Sequence, residues 1–172
     1  DSPFGVKFIP FGRVQDTELT EFEVHLNKQP DWVKQCISQL DPDAYDFVLI
    51  DTPPGATVYL QQALRAANRA VIVLLADAAS LATVARIVGL IESHTVHNPG
   101  FGDYHFLLNQ MPNRSKLSHQ VRNTLISQFG SQVVPIAIQR DVGVTQALAF
   151  ERPVLQYEPT CAASQSIAAV AD

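Results

Sequence analysis

The sequence predicts an α/β fold in which a mostly parallel β-sheet has helices on both faces. Three apolar runs at residues 45–51, 70–76 and 104–109 have the length and the β-branched or aromatic content of buried strands. Segments with helical periodicity separate these runs. Because consecutive parallel strands need right-handed crossover connections, the alternation predicts a layered sheet flanked by helices.

Before residue 45 the sequence predicts a short strand at residues 6–10, then a polar loop over residues 13–29, with a weak helix there as the alternative. A helix is predicted over residues 30–40, because apolar side chains recur there at helical spacing. Its apolar face consists of Trp32, Val33, Cys36, Ile37 and Leu40.

Five further helices are predicted, at residues 57–68, 80–94, 116–129, 142–150 and 161–171. We expect Ser80 and Asp141 to cap the second and fourth of these helices, and Gly130 to end the third. A fourth short strand is predicted at residues 133–138. Since Pro135 has no N–H to donate to a β-ladder, this strand is expected at a sheet edge or to end there.

The composition excludes several classes of protein. Hydrophobic residues make up 47% of the chain and charged residues 17%, which indicates a folded domain rather than a disordered segment. A net charge of −5 argues against a nucleic-acid binder that uses its whole surface, although a local basic patch stays open. Cys36 and Cys161 match no C-x-x-C pattern, so neither a zinc site nor a disulfide scaffold is indicated.

The most informative stretch is the end of the run at residues 45–51. Asp51 follows the apolar residues directly, at the position where a parallel strand reaches the ligand-binding edge of its sheet. Pro53 and Pro54 stop the ladder, and Gly55 allows a bare backbone N–H to approach a ligand. The stretch therefore offers a carboxylate and a backbone donor side by side. The alternative is that Asp51 only caps its own turn.

The segment Asp51-Thr52-Pro53-Pro54-Gly55 resembles switch II of the MinD/ParA family of deviant P-loop ATPases. Two further segments resemble the same family, and the resemblance covers nearly the whole chain. Residues 107–110 are similar to the strand end whose asparagine recognises adenine, and residues 134–142 to the segment whose backbone lines the adenine pocket. Residues 4–11 and those from 134 onward most resemble the bacterial cellulose-biosynthesis BcsQ (YhjQ) family.

The resemblance implies a P-loop NTPase-like fold with ATP and Mg²⁺ as cofactors. It implies that Asp51 holds Mg²⁺ through a water molecule and is the catalytic carboxylate. It also implies that the Gly55 N–H senses the γ-phosphate. The nucleotide-binding residues that it predicts are Pro54, Gly55, Asn109, Pro135 and Ile136.

The function implied is ATP binding and hydrolysis in support of the assembly or localisation of a bacterial cellulose synthase and secretion complex, and so of biofilm formation. Such a protein is expected to form a homodimer in its ATP state. It is expected in the cytoplasm, with peripheral attachment to the inner membrane through its partners. Two alternatives stay open: a ParA-type partition or positioning ATPase, and a non-catalytic interaction module that keeps the fold without nucleotide chemistry.

One departure from the family pattern is large. The phosphate loop, K-G-G-x-G-K-[ST], occurs nowhere in the 172 residues, and Gly100-Phe101-Gly102 lacks the further glycine and lysine of such a loop. We therefore expect residues 1–172 to be a single MinD/ParA-like ATPase domain that is incomplete at its N-terminal side. Taken alone, this chain is expected to bind ATP weakly or not at all, because the loop supplies most of the phosphate contacts.

Overall fold

A computed structural model describes residues 5–171, so Phe4, where one of the family resemblances begins, lies outside the described residues. The chain divides into two compact units, residues 1–66 and 67–172. Within the described residues, no helix has both the length and the apolar character needed to cross a membrane.

The first unit contains three helices: α1 (Asp16–Lys28), α2 (Trp32–Ile37) and α3 (Val58–Ala66). The polar loop predicted over residues 13–29 is wrong, since most of it forms the 13-residue helix α1. The Glu18 carboxylate accepts a hydrogen bond from the Gln15 N–H at 3.0 Å, which satisfies a donor at the helix start. Acidic residues in the first turn and Lys28 in the last also complement the helix dipole.

The buried side-chain amide of Gln62, on α3, joins the three helices of this unit. Its Nε2 donates to the carbonyl oxygens of Leu26 (2.8 Å) and Gln29 (2.7 Å) at the end of α1. Its Oε1 accepts from the N–H of Val33 at 3.1 Å, in the first turn of α2. Gln62 is only 1% exposed, so its side chain bonds to these backbone groups and not to water.

Two strands predicted in this unit are absent from the structure. Residues 6–10 and 45–51 form no regular secondary structure, and Phe47 and Leu49 are 86% and 92% exposed. An apolar run becomes a buried strand only when neighbours pair with its edges and cover its faces. No β-strand lies in the described part of this unit, so the run at 45–51 has no partner there. Cys36, predicted on an apolar helix face, is likewise exposed.

The second unit contains the sheet. The strands β1 (Arg69–Leu75) and β2 (Asp103–Asn109) are parallel, in a register that runs from Arg69 opposite Asp103 to Leu75 opposite Asn109. This confirms the predicted parallel α/β architecture. The helices of this unit are α4 (Ala78–Thr95), α5 (Lys116–Phe129), α6 (Val142–Ala149), α7 (Val154–Tyr157) and α8 (Ala162–Ala171), and a 3₁₀ turn spans Gly130–Gln132.

The fourth predicted strand is present only as two isolated parallel bridges to β2 and its extension. Val133 pairs with Phe106, and Gln139 pairs with Met111. The segment between them is interrupted around Pro135, which cannot donate to a ladder. Residues 133–139 therefore lie along the edge of β2 that faces away from β1, in agreement with the predicted edge position.

One face of the sheet carries the core of the second unit. Leu74, Phe106 and Leu108 pack there with Val84 of α4 and Leu125 of α5. The opposite face is covered over β2 but open over β1: Leu107 is 8% exposed, whereas its register partner Val73 is 57% exposed. The prediction that residues 70–76 form a strand buried on both faces is therefore wrong for β1.

The helix caps explain where the helices of this unit begin and end. Asp77, rather than the predicted Ser80, caps α4, since its carboxylate accepts from the Ser80 N–H at 2.7 Å. The predicted end of α5 at Gly130 is confirmed, with a φ of +54° that favours glycine. Asp141 caps α6 as predicted.

Replacing Gln62 with alanine should destabilise the first unit by about 2–3 kcal/mol, because the Leu26 carbonyl and the Val33 N–H lose their hydrogen-bond partner. The Gln29 carbonyl keeps its bond from the Trp32 N–H at 3.1 Å. Chemical denaturation of wild type and Gln62→Ala measures this loss. Gln35→Ala, at an exposed position of α2, is the matched control and should change the free energy of unfolding by less than about 0.5 kcal/mol. Equal losses in the two variants would contradict the structural role of Gln62.

Candidate functional site

The carboxyl ends of β1 and β2 lie at one edge of the sheet, because the strands are parallel and in register. Asp77 follows β1, and its carboxylate accepts the capping hydrogen bond of α4 from the Ser80 N–H. Asn109 ends β2, is half-buried, and accepts a hydrogen bond through Oδ1 from the Gln110 N–H at 2.9 Å. This edge is where open parallel sheets bind ligands.

The segment that runs beside β2 brings Pro135 and Ile136 into the same unit as Asn109. The Val134 N–H donates to the Phe106 carbonyl and the Ile138 N–H to the Leu108 carbonyl, both at 2.9 Å. Pro135 is exposed, and its carbonyl accepts from the Arg122 guanidinium at 2.9 Å. This bond leaves one lone pair of the Pro135 oxygen for another donor.

Asp141 follows this segment and joins the starts of two helices. Its Oδ1 accepts from the Gly143 N–H of α6 at 2.8 Å, and its Oδ2 accepts from the Ala162 N–H of α8 at 3.0 Å. The sequence predicted the first of these contacts and not the second. The partner 21 residues away is brought close only by the tertiary fold.

The electrostatics of this position follow from its donors. The hydrogen bond from the Gly143 N–H is the largest influence and lowers the pKa of the Asp141 carboxyl, against the opposing effect of burial. Bonds from the Ala162 and Ala163 N–H groups and from the Cys161 side chain lower the pKa further. The charged form of Asp141 is therefore the one that the fold stabilises.

Asp141, Glu158 and Cys161 form the one group of potential metal ligands within residues 5–171, with ligand atoms within 4.8 Å of one another. Both Asp141 oxygens already accept from backbone N–H groups, and the Cys161 sulfur accepts from the Ser164 N–H at 3.4 Å. The positive ends of α6 and α8 also favour an anion here over a cation. The cluster is thus explained by helix capping.

The other predicted site residues lie in the first unit. Asp51 is exposed and Pro54 and Gly55 form the exposed turn that follows it. Gly55 has a φ of +99°, which favours glycine, and a Cβ built at this position would meet no atom within 4 Å. Glycine is therefore required at this turn by the backbone conformation and not by crowding. Asp51, Pro54 and Gly55 lie in one turn, and Asn109, Pro135 and Ile136 lie along and beside β2.

The structure also reveals a residue that the sequence did not single out. Gln110 has a φ of +53°, in the left-handed region that non-glycine residues rarely adopt. Glutamine carries no sequence signal for this conformation, whereas glycine or asparagine would have done so. Gln110 lies immediately after Asn109, at the carboxyl edge of the sheet.

The lowered pKa of Asp141 predicts a pH-dependent contribution to stability. A depressed pKa in the folded state stabilises the fold at pH values above the unfolded pKa of about 3.9, and this contribution is lost as the pH falls through the folded pKa. Asp141→Asn should therefore be less stable than wild type at pH 7. The difference in the free energy of unfolding should shrink between pH 5 and pH 2, as followed by urea titrations. A difference that does not change with pH would contradict this prediction.

Comparison with known proteins gives one family and a consistent fold. The family model described as "Cellulose biosynthesis protein BcsQ" matches residues 3–172. The chromosome partitioning protein ParA of Caulobacter vibrioides is 32% identical over 123 residues, which are 71% of this chain and 46% of that protein. The chromosome-partitioning ATPase Soj of Thermus thermophilus is 30% identical over 122 residues, 70% of this chain and 49% of that protein.

The chain thus spans about half the length of the curated relatives that it matches. Among solved structures, an McdA–ATP complex from Cyanothece has a TM-score of 0.74 at 17% identity, over 89% of this chain and 61% of that chain. The septum site-determining protein MinD of Pyrococcus horikoshii, complexed with Mg-ADP, has a TM-score of 0.64 at 19% identity, over 83% and 55%. At these identities the structures show the fold. By the match over residues 3–172, the chain belongs to the cellulose biosynthesis protein BcsQ family, within the MinD/ParA-type superfamily of P-loop ATPases.

Proposed function

We propose that the whole protein binds and hydrolyses ATP with Mg²⁺ and thereby supports the assembly or localisation of a bacterial cellulose synthase complex. The observation that carries this proposal is the match to a cellulose-biosynthesis family over residues 3–172. ATP hydrolysis in this setting acts as a timer for assembly and not as metabolic turnover.

The turn after residue 50 supplies the phosphate side of the proposed site. Asp51 is an exposed carboxylate, the oxygen donor that a hard cation such as Mg²⁺ prefers, here through a water molecule. The positive φ of Gly55 and the open space around its Cα leave its backbone free to respond to the γ-phosphate. Mg²⁺ bound there would neutralise charge on the phosphates; Asp51 would hold the ion and the Gly55 N–H would hydrogen-bond the γ-phosphate. Pro54 fixes the turn between these two residues.

The carboxyl edge of β2 supplies the base side of the proposed site. Asn109 has both donors and an acceptor on its side chain, which allows it to read the edge of an adenine. The backbone of Pro135 and Ile136 lines the base in this proposal. Nucleotide binding is supported by the fold likeness to an McdA–ATP complex and to MinD complexed with Mg-ADP.

The proposal extends to assembly and location. The protein forms a homodimer in its ATP state, as the superfamily resemblance implies, and its partners are subunits of the cellulose synthase complex. It works in the cytoplasm and attaches peripherally to the inner membrane through these partners.

Asp51→Ala in the whole protein should lower the rate of ATP hydrolysis by about 10–100-fold, because it removes the carboxylate that orients the metal. Steady-state phosphate release measures the rate. Asp46→Ala is the matched control, since Asp46 is an exposed aspartate five residues earlier in the same segment. It should leave the rate within about twofold of wild type.

Two outcomes of that assay would contradict the proposal. Unchanged turnover in Asp51→Ala would remove Asp51 from the catalytic site. A wild-type protein without ATPase activity would instead favour a non-catalytic interaction module that keeps the fold. The amino-acid sequence of the whole protein offers an independent check, because the ATPase needs a K-G-G-x-G-K-[ST] loop and the module does not.

A ParA-type partition or positioning ATPase is the second candidate, favoured by the 32% identity to the ParA protein of Caulobacter vibrioides. The two candidates differ in their partner, since the partition ATPase binds DNA without sequence specificity in its ATP state. The net charge of −5 favours the cellulose-related candidate.

We expect the ATP-bound whole protein to cause no shift of DNA in a gel at about 0.15 M salt, because residues 1–172 carry a net charge of −5 and such binding needs Lys and Arg side chains that displace counterions from the phosphates. Titration from about 0.05 to 0.2 M salt provides the test. A shift that weakens steeply with salt would favour the partition ATPase.

A further inference from the structure

The carboxyl end of β2 contains a β-bulge. In a regular parallel ladder, the N–H and the C=O of one residue bond to two residues that lie two apart on the neighbouring strand. Ile138 instead donates its N–H to the Leu108 carbonyl and accepts at its own carbonyl from the Met111 N–H, both at 2.9 Å. Leu108 and Met111 are three residues apart instead of two, so Asn109 and Gln110 together occupy the place of one residue of a regular ladder.

The bulge is fixed on both sides by buried residues. Leu108 and Met111 are both buried in the core of the second unit. Beyond the bulge, the Arg140 N–H donates to the Met111 carbonyl at 3.0 Å, so the pairing resumes at once. Because both flanks are held, the left-handed φ of Gln110 is imposed by the fold. Bulges of this kind re-aim a side chain and are frequent next to active sites.

The side chain that is hydrogen-bonded at this bulge is that of Asn109. The Gln110 N–H donates to Asn109 Oδ1 at 2.9 Å. If the Asn109 amide were turned over, its Nδ2 donor would face the Gln110 N–H, which is also a donor. The bond therefore fixes Oδ1, and not Nδ2, next to the Gln110 N–H. Both N–H donors of Nδ2 and one lone pair of Oδ1 are left for a ligand at the sheet edge.

We propose that Gln110 is a positioning residue: through its left-handed backbone it fixes the Asn109 amide so that the site selects a 6-aminopurine over a 6-oxopurine. The inference rests on the proposed function and names the specificity determinant of that site. The side chain of Gln110 is exposed, so its backbone conformation and N–H carry this role.

The selectivity follows from matching donors and acceptors. Adenine places an acceptor ring nitrogen beside the 6-amino donor, and a carboxamide pairs with both at once. Hypoxanthine and guanine carry a 6-oxo acceptor, which would meet the Oδ1 lone pair of Asn109. Since the Gln110 N–H prevents the amide from turning over, the site cannot adapt to the second pattern.

The test compares ATP with ITP, which carries a 6-oxo group, on the whole protein by calorimetry. Gln110→Val should reduce the preference for ATP over ITP by about tenfold, because a β-branched residue avoids a positive φ and withdraws the N–H from Asn109. Gln110→Gly should stay within about twofold of wild type, since glycine accepts this φ. Asn109→Ala should lose the preference, and the double variant Asn109→Ala/Gln110→Val should lose no more than that, because the two residues act as one unit.

Glu151→Val is the matched control for strain. Glu151 is the other described non-glycine residue with a positive φ, +52°, and it is also exposed. Its substitution should disfavour the backbone in the same way and leave the ATP preference unchanged. Equal loss of preference in Gln110→Val and Glu151→Val would overturn the proposal, and so would an unchanged preference in Gln110→Val.

A second readout keeps this inference separate from the proposed function. If the wild-type whole protein binds neither nucleotide, the proposed function fails. The positioning role is then decided by NMR of the Asn109 side-chain amide. Nδ2 proton chemical shifts that differ from those of a free asparagine amide in wild type and Gln110→Gly, and that move toward the free values in Gln110→Val, support the role. Identical resonances in all three proteins overturn it.

Discussion

The hydrogen bonding of β2 on both of its edges is the constraint on which the second unit depends. One edge pairs with β1 in parallel register, and the segment at residues 133–139 pairs with the other edge through two isolated bridges. Phe106 and Leu108 are buried by this arrangement, together with residues of α4 and α5. Because the middle strand is fixed on both sides, an irregularity at its carboxyl end is held in one conformation rather than relaxed. That end is where Asn109 and Gln110 lie.

Asp141 connects the segment paired with β2 to two helices of the second unit. It follows the segment paired with β2, and its two carboxylate oxygens accept from the first turns of α6 and α8. A single carboxylate thus satisfies N–H groups of two helices whose positive dipole ends point toward it. The same geometry explains the lowered pKa of Asp141 and the close approach of Glu158 without a metal ion. Asp141 thus holds the first turns of α6 and α8 next to each other.

The sequence located most helices of the second unit because their signals are local. Gly130 ends α5, Asp141 starts α6, and the helical periodicity places α4, α5 and α8 within a few residues of their observed bounds. The same reasoning failed for residues 45–51, which have the composition of a buried strand and yet are exposed and unpaired. It also favoured a loop over a weak helix where α1 forms, because the polar residues of α1 show no clean helical period. Strand formation depends on partners that are distant in the chain, whereas capping depends on neighbours.

The amino-acid sequence by itself determined the parallel α/β class, the helix ends set by glycine and aspartate, and the family resemblance carried by the Asp51–Gly55 turn. These features follow from periodicity, from backbone preferences of single residues and from short motifs. Only the tertiary structure decided which apolar runs become paired strands, that Gln62 joins three helices, and that Asp141 caps two. It alone revealed the left-handed Gln110 and the fixed Asn109 amide. Each of these features is created by groups far apart in the chain, or by strain that buried neighbours impose, and no local pattern encodes either.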